Sequence, residues 1–120
     1  MPSTINELLQ AGDDDSIAIS GIDRPDLSYA GLRDVVAQTA STLNGLGIGR
    51  NDRVAIVLPN GPEMAASFVA IATCATTAPL NPAYKQEEYD FYLSDLGARA
   101  LLVEKGSSSP AIEAAKAHNI

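Results

Sequence analysis

The 120-residue chain predicts an α/β fold: a parallel βαβαβα layered unit over residues 53–120, preceded over residues 1–52 by a short helix, a short strand and a capped helix, all in one partial domain. Three observations predict it. The runs Arg53–Leu58, Thr77–Leu80 and Ala100–Val103 are short, and the first from Val54 onward and the last are continuously apolar, as strands buried on both faces are. A helical pattern follows each run. The connections are short, which favours right-handed crossovers between parallel strands.

Taken in order, Thr4-Ile5-Asn6-Glu7 fits a capping box, and Gly12 stops a helix through Leu8 and Leu9. Ile17–Ile19 reads as a short strand, and Gly21–Asp26 as turn chemistry. Leu27-Ser28 opens a helix, with Ser28 as N-cap and Leu27 and Leu32 placed as a hydrophobic staple. Leu32, Val35, Val36, Thr39, Leu43 and Leu46 form its apolar face, and Gly45 and Gly47 end it. Pro62 and Glu63 open the next helix, and Met64–Ala75 is apolar nearly all round, so cover on more than one side is expected. The third helix runs from Gln86 to a Gly97 stop, with Tyr89, Tyr92, Leu93 and Leu96 as its buried stripe. Ser109 and Pro110 open a final helix through Ile112, Ala115 and Ala117, ending near His118-Asn119.

Composition narrows the function classes. Hydrophobic residues make up 46%, enough for a core. Eight Lys and Arg face fifteen Asp and Glu, for a net charge of −7, so nucleic acid and anionic membrane are poor partners. The run Met64–Ala78 is too short and too interrupted to span a bilayer. Met1–Gln10 carries no basic-plus-apolar leader pattern. The single cysteine, Cys74, has no internal partner and fits a reducing compartment, with small core filler as its role.

Several tempting motifs fail on their chemistry. Asp13-Asp14-Asp15 lacks the alternating ligands of a calcium loop and reads as a solvated turn. Gly45-Leu46-Gly47-Ile48-Gly49 closes a helix and precedes a strand, the reverse of the order a dinucleotide loop needs. Glu87 and Glu88 are adjacent on a helix and point apart, so they form a solvated face. A phosphoacceptor domain needs acids at strand carboxyl ends, and Asp52 precedes its strand. The feature left is the Thr76–Tyr84 stretch, where two prolines bracket Leu80-Asn81 and end a strand abruptly. Ligands usually sit at the carboxyl ends of parallel strands.

Several stretches together resemble the N-terminal part of the adenylate-forming acyl-CoA ligase superfamily. Leu27–Leu32 is similar to its "L-[TS]-Y-x-x-L" motif, Asp52–Asn60 to its first core strand, and Ala78–Tyr84 to its "G-x-x-x-P-L-[ND]-P-x-Y" motif. The resemblance covers Ile17 to Val103. Ala78 to Leu93, continuing through Ser94-Asp95-Leu96, is most similar to the oxalyl-CoA and peroxisomal coenzyme A synthetase branch. It implies a reaction in which a small carboxylic acid attacks the α-phosphate of ATP, with Mg²⁺, and coenzyme A then displaces AMP. It implies a cytoplasmic or peroxisomal location; Ala117-His118-Asn119-Ile120 does not end in a peroxisomal tripeptide. Gly106-Ser107-Ser108-Ser109 lacks the Thr-Gly-x-Pro-Lys ending of the family's phosphate loop, so no catalytic residue and no metal ligand carries over. What carries over is a coenzyme A-facing wall: Asn81, Pro82 and Ala83 in one loop and Lys105 in another, with Lys105 able to meet a phosphate.

Three expectations follow. The first is an incomplete N-terminal part of a larger ligase domain, inactive alone and binding neither ATP, Mg²⁺ nor coenzyme A tightly. The alternative is a small standalone α/β binding or interaction module. The third is self-association through an uncovered sheet edge.

Overall fold

A computed structural model describes residues 1–120. Thr4 caps the first helix, α1 (Ile5–Leu8), by accepting the Glu7 N–H at 3.1 Å, and a 3-10 turn over Leu9–Ala11 extends it to Gly12. The predicted capping box is half formed. The Glu7 carboxylate accepts from the Ser3 N–H at 2.7 Å, one residue upstream of the cap.

β1 (Ile17–Ile19) pairs antiparallel with β2 (Leu27–Ser28), a ribbon the sequence did not announce. Leu27-Ser28 was expected to open a helix and instead ends this ribbon first. An N-cap residue is extended in any case, so Ser28 closes β2 and still caps α2 (Tyr29–Gly45) through the Gly31 N–H at 3.1 Å. Leu27 and Leu32 meet in one apolar cluster, as a staple requires.

The rest alternates strictly: β3 (Arg53–Val57), α3 (Pro62–Ala72), β4 (Thr76–Pro79), α4 (Gln86–Leu96), β5 (Ala100–Val103) and α5 (Pro110–Ala117). The three strands form one parallel sheet in the order β4-β3-β5. β4 begins one residue earlier than expected because Thr76 pairs with Arg53. Beyond Pro79 the ladder continues through the Leu80 N–H, which donates to the Ile56 carbonyl at 2.9 Å.

β3 is covered on both faces. Val54, Ile56 and Leu58 pack with Leu43 of α2 and Ile48 after it, and with Ile71 of α3 and Ala75 after it. Ala55 and Val57 pack with Tyr89 and Leu93 of α4 and with Ala111, Ala114 and Ala115 of α5. Fully burying one such aliphatic side chain stabilises by about 1.5–3 kcal/mol. Gly97, at φ 60, ends α4 as predicted, with its N–H on the Leu93 and Ser94 carbonyls.

At the helical faces one expectation fails, at Leu46, and two details are added. α3 is covered on more than one side, as expected, with Ile71 against β3 and Ala70 against Leu32 and Val36 of α2, while Phe68 remains 41% exposed. Leu46 lies past the end of α2 and is 67% exposed. In α5 the inward residues are Ala111, Ala114 and Ala115, while Ala117 is exposed and Ile112 half-buried. Small residues bring α5 close against α4 and the sheet. Ala114→Leu is therefore expected to cost about 1–3 kcal/mol by overpacking. Ala117→Leu should change stability by less than about 0.5 kcal/mol. Chemical denaturation of the two variants checks the contrast.

Candidate functional site

Parallel pairing gathers the carboxyl ends of β3, β4 and β5 on one edge of the sheet. Ile56 pairs with Pro79 and Val57 with Val103. Continuing that register sets Asn81, Leu58 and Glu104 at one level, with Asn81 and Glu104 about 10 Å apart across β3. The two sequence-predicted loops, Asn81–Ala83 and the one holding Lys105, thus open on the same side.

The first loop is built by Asn81. Its side-chain oxygen accepts the Ala83 N–H at 2.8 Å, an Asx turn, and its carbonyl accepts the Tyr84 N–H at 3.2 Å. The same carbonyl accepts the Tyr89 hydroxyl at 2.7 Å. Asn81, Pro82 and Ala83 are all exposed. In the second loop the Ser107 N–H donates to the Glu104 carbonyl at 3.0 Å, Gly106 turns the chain at φ 78, and Ser109 caps α5 through the Ala111 N–H at 3.1 Å. Lys105 is exposed and takes part in none of the ion pairs.

Tyr89 ties the first loop to the core. Its ring is fully buried, and its hydroxyl also faces Ser109. The sequence identified Tyr89 as a core position and missed this link. A tyrosine in a buried helical stripe was the available signal, because its hydroxyl needs a partner there. Tyr84 stacks on Tyr92, with centroids 5.2 Å apart, and meets Tyr89 edge-on at 5.7 Å.

On the α3 side of the same edge, an open cleft of about 720 Å³ lies between Ser20–Arg24 and Leu58–Glu63, with Glu104 at its rim. Arg24 crosses it to Glu63, and that hydrogen bond holds the Glu63 carboxyl below its usual range. The pair is 39 residues apart in sequence and has no motif to announce it. At the opposite end of the sheet, Asp52 accepts the Gly49 N–H at 2.8 Å and pairs with Arg99 at 3.2 Å, so it tightens strand entrances rather than facing a ligand. Asp14 pairs with Arg33, which also donates to the Leu9 and Gly12 carbonyls. No group of three or more His, Cys, Asp or Glu side chains converges to hold a metal ion. Burial raises the Cys74 thiol above its usual range, and its sulfur rests on the Ala70 and Ile71 carbonyls.

The fold is that of the N-terminal domains of adenylate-forming enzymes. The ATP-bound RpMatB-BxBclM chimera B3 aligns with a TM-score of 0.82 at 22% identity, over 98% of this chain and 24% of that one. The N-terminal domain of FACL13 from Mycobacterium tuberculosis aligns at 0.75 with 26% identity, over 95% of this chain and 30% of that domain. The chain belongs to the AMP-binding enzyme family, whose profile matches residues 9–120. It is 41% identical over 102 residues to the oxalate--CoA ligase of Arabidopsis thaliana, covering 83% of this chain and 20% of that protein. It is 45% identical over 60 residues to the oxalate--CoA ligase of Saccharomyces cerevisiae, covering 49% of this chain and 11% of that protein. The chain thus spans a fifth or less of these two relatives' length.

The Tyr89 link makes a pH prediction. Burial raises the phenol above its ordinary value of 10.0, so the folded state favours the neutral form. The associated stability is fully present below pH 10 and is lost as pH rises through the folded value, because the unfolded chain ionises first. Tyr89→Phe should cost about 1 kcal/mol near neutrality. It should also flatten the decline in stability above pH 10. Urea titrations across that range check both outcomes.

Proposed function

We propose that this chain is the N-terminal part of an ATP-dependent acyl-CoA synthetase, with oxalate the first substrate to test. The observation that carries this reading is the 41% identity over 102 residues to a protein named oxalate--CoA ligase. The complete enzyme would join a carboxylate to the α-phosphate of ATP, releasing pyrophosphate. The coenzyme A thiolate would then attack the acyl carbonyl and release AMP.

The residues of this chain do not fit ATP or magnesium. They include no phosphate loop ending in Lys, and no carboxylates converge on a common point. No step is routed through either group. Coenzyme A fits better. Lys105 is an exposed cation outside every ion pair, at the same sheet edge as the Asn81–Ala83 loop, and its ammonium would meet a phosphate of the nucleotide. Asn81, Pro82 and Ala83 would form the neighbouring wall. The segment's part in the reaction is to bind and orient, and the 120 residues alone are inactive on this reading.

Oxalate-dependent ATP–pyrophosphate exchange by the complete gene product tests the proposal, with residues 1–120 assayed beside it. Exchange from the complete product and none from the shorter chain is expected. Full exchange from these residues alone removes the claim of incompleteness, and no exchange from the complete product with any small carboxylate removes the ligase reading. Lys105→Ala should weaken coenzyme A about two- to fivefold, as an exposed ion pair allows. Dephospho-CoA should be affected less if the 3′-phosphate is the group met, and steady-state kinetics with both thiols decides it.

A second reading is favoured by one observation. β5 is an edge strand whose Ala100, Leu101 and Leu102 border an apolar groove of about 440 Å³ shared with Leu43 and Leu46. On that reading the 120-residue chain is an interaction module that pairs with a second copy along β5. Sedimentation at increasing concentration should then show dimers, and a strictly monomeric species removes it.

A further inference from the structure

Tyr89 is 0% exposed and is the largest fully buried side chain in the protein. A phenylalanine would fill the same space among Ala55, Val57, Leu93 and the α5 alanines without bringing a polar group into the core. The hydroxyl is therefore what distinguishes the residue, and it ends on the ligand-facing side of the sheet. It donates to the Asn81 carbonyl at 2.7 Å and faces the Ser109 side chain.

The loop is flanked by Leu80 and Tyr84, which pack on the core, but its own residues have few hydrogen bonds outside it. The Ala83 N–H bonds the Asn81 side chain and the Tyr84 N–H bonds the Asn81 carbonyl, both within the loop itself. Pro82 has no N–H to give. Only the Leu80 N–H, on the Ile56 carbonyl at 2.9 Å, ties the entrance of the loop to the sheet. The Tyr89 hydroxyl is the one side-chain bond that fixes the loop's backbone to the core.

We infer that Tyr89 is a positioning residue for coenzyme A, holding the Asn81–Ala83 loop at a fixed height over the strand ends. The inference rests on the ligase reading above. It deepens that reading by naming the group that sets the coenzyme wall without touching the ligand. Binding geometry degrades when the shell behind a contact loosens, so the effect is on thiol affinity before it is on chemistry.

The test uses the complete gene product with oxalate, or whichever carboxylate it activates. In Tyr89→Phe the KM for coenzyme A should rise about five- to tenfold, the equivalent of one lost hydrogen bond. That rise is read against the ATP–pyrophosphate exchange rate, which involves no coenzyme A and should fall by much less. Tyr92→Phe is the matched control. It removes a hydroxyl three residues along α4 that faces Tyr84 and not Asn81, so its coenzyme A KM should stay within about twofold. A Tyr89→Phe enzyme whose exchange rate falls as far as its coenzyme A KM rises shows a general loss of structure and overturns the inference. So does an unchanged coenzyme A KM in an enzyme that turns over coenzyme A normally. A wild-type protein with no coenzyme A-dependent turnover overturns the ligase reading, and this inference with it.

Discussion

The central strand, β3, has to be dry on both faces, and the rest of the chain is arranged to make it so. Val54 to Leu58 are all buried, with Ala55 and Ile56 at 0% exposure. A strand with no polar face cannot lie on a surface, so a layer of helices is needed above and below. α2 and α3 supply one layer, where Leu43, Ile48, Ile71 and Ala75 meet the even-numbered side chains. α4 and α5 supply the other, where Tyr89, Leu93 and three alanines meet the odd-numbered ones. Covering both faces with consecutive crossovers forces the neighbours of β3 to run parallel to it.

That constraint also makes the two ends of the sheet unequal. Parallel strands all leave by one edge, so every turn that follows a strand is delivered there, and every turn that precedes one is delivered to the other. The entry edge is locked by polar contacts. Asp52 holds the Gly49 N–H and pairs with Arg99, and the Thr76 hydroxyl donates to the Arg50 carbonyl at 3.0 Å. The exit edge holds a cleft, an Asx turn, a glycine turn and two exposed lysines, Lys85 and Lys105. Its loops are secured from beneath, where the Tyr89 hydroxyl emerges from the core.

Much of this was legible because it follows from local chemistry. The apolar strand runs, Pro62 and Pro110 at helix starts, the Ser28 and Ser109 caps and the Gly97 stop each act within a few residues, and each sits where the sequence puts it. What escaped depends on partners distant in the chain. The β1–β2 ribbon rests on two residues of β2, too few for a period to show. The inward face of α5 was not assigned, because its buried residues Ala111, Ala114 and Ala115 are alanines, which carry little hydrophobic contrast. At the candidate site, the sequence brought Asn81–Ala83 and Lys105 forward by family resemblance. The Arg24–Glu63 pair and the Tyr89–Asn81 bond join elements that nothing short of a fold brings together.

Charge decides what kind of wall this edge can be. A coenzyme nucleotide carries several phosphate charges, and a protein with a net charge of −7 does not attract it as a whole. Near the strand exits, Arg24 is already committed to Glu63, and Glu104 precedes Lys105 directly in sequence. Lys85 and Lys105 are the exposed lysines there, flanked in sequence by Glu87-Glu88 and by Glu104, so each lies within one Debye length of an acid at physiological salt, where the charges largely offset each other at longer range. Steering an anion from solution is beyond such an arrangement, whereas a short-range contact to one phosphate already held elsewhere is within it. On the ligase reading the segment then contributes shape and orientation, and the charge that draws the nucleotide in must come from residues outside it. On the same reading, a wall of that kind would depend on fixed backbone more than on field strength, and a buried hydroxyl under the Asn81 loop would matter more to it than another surface lysine.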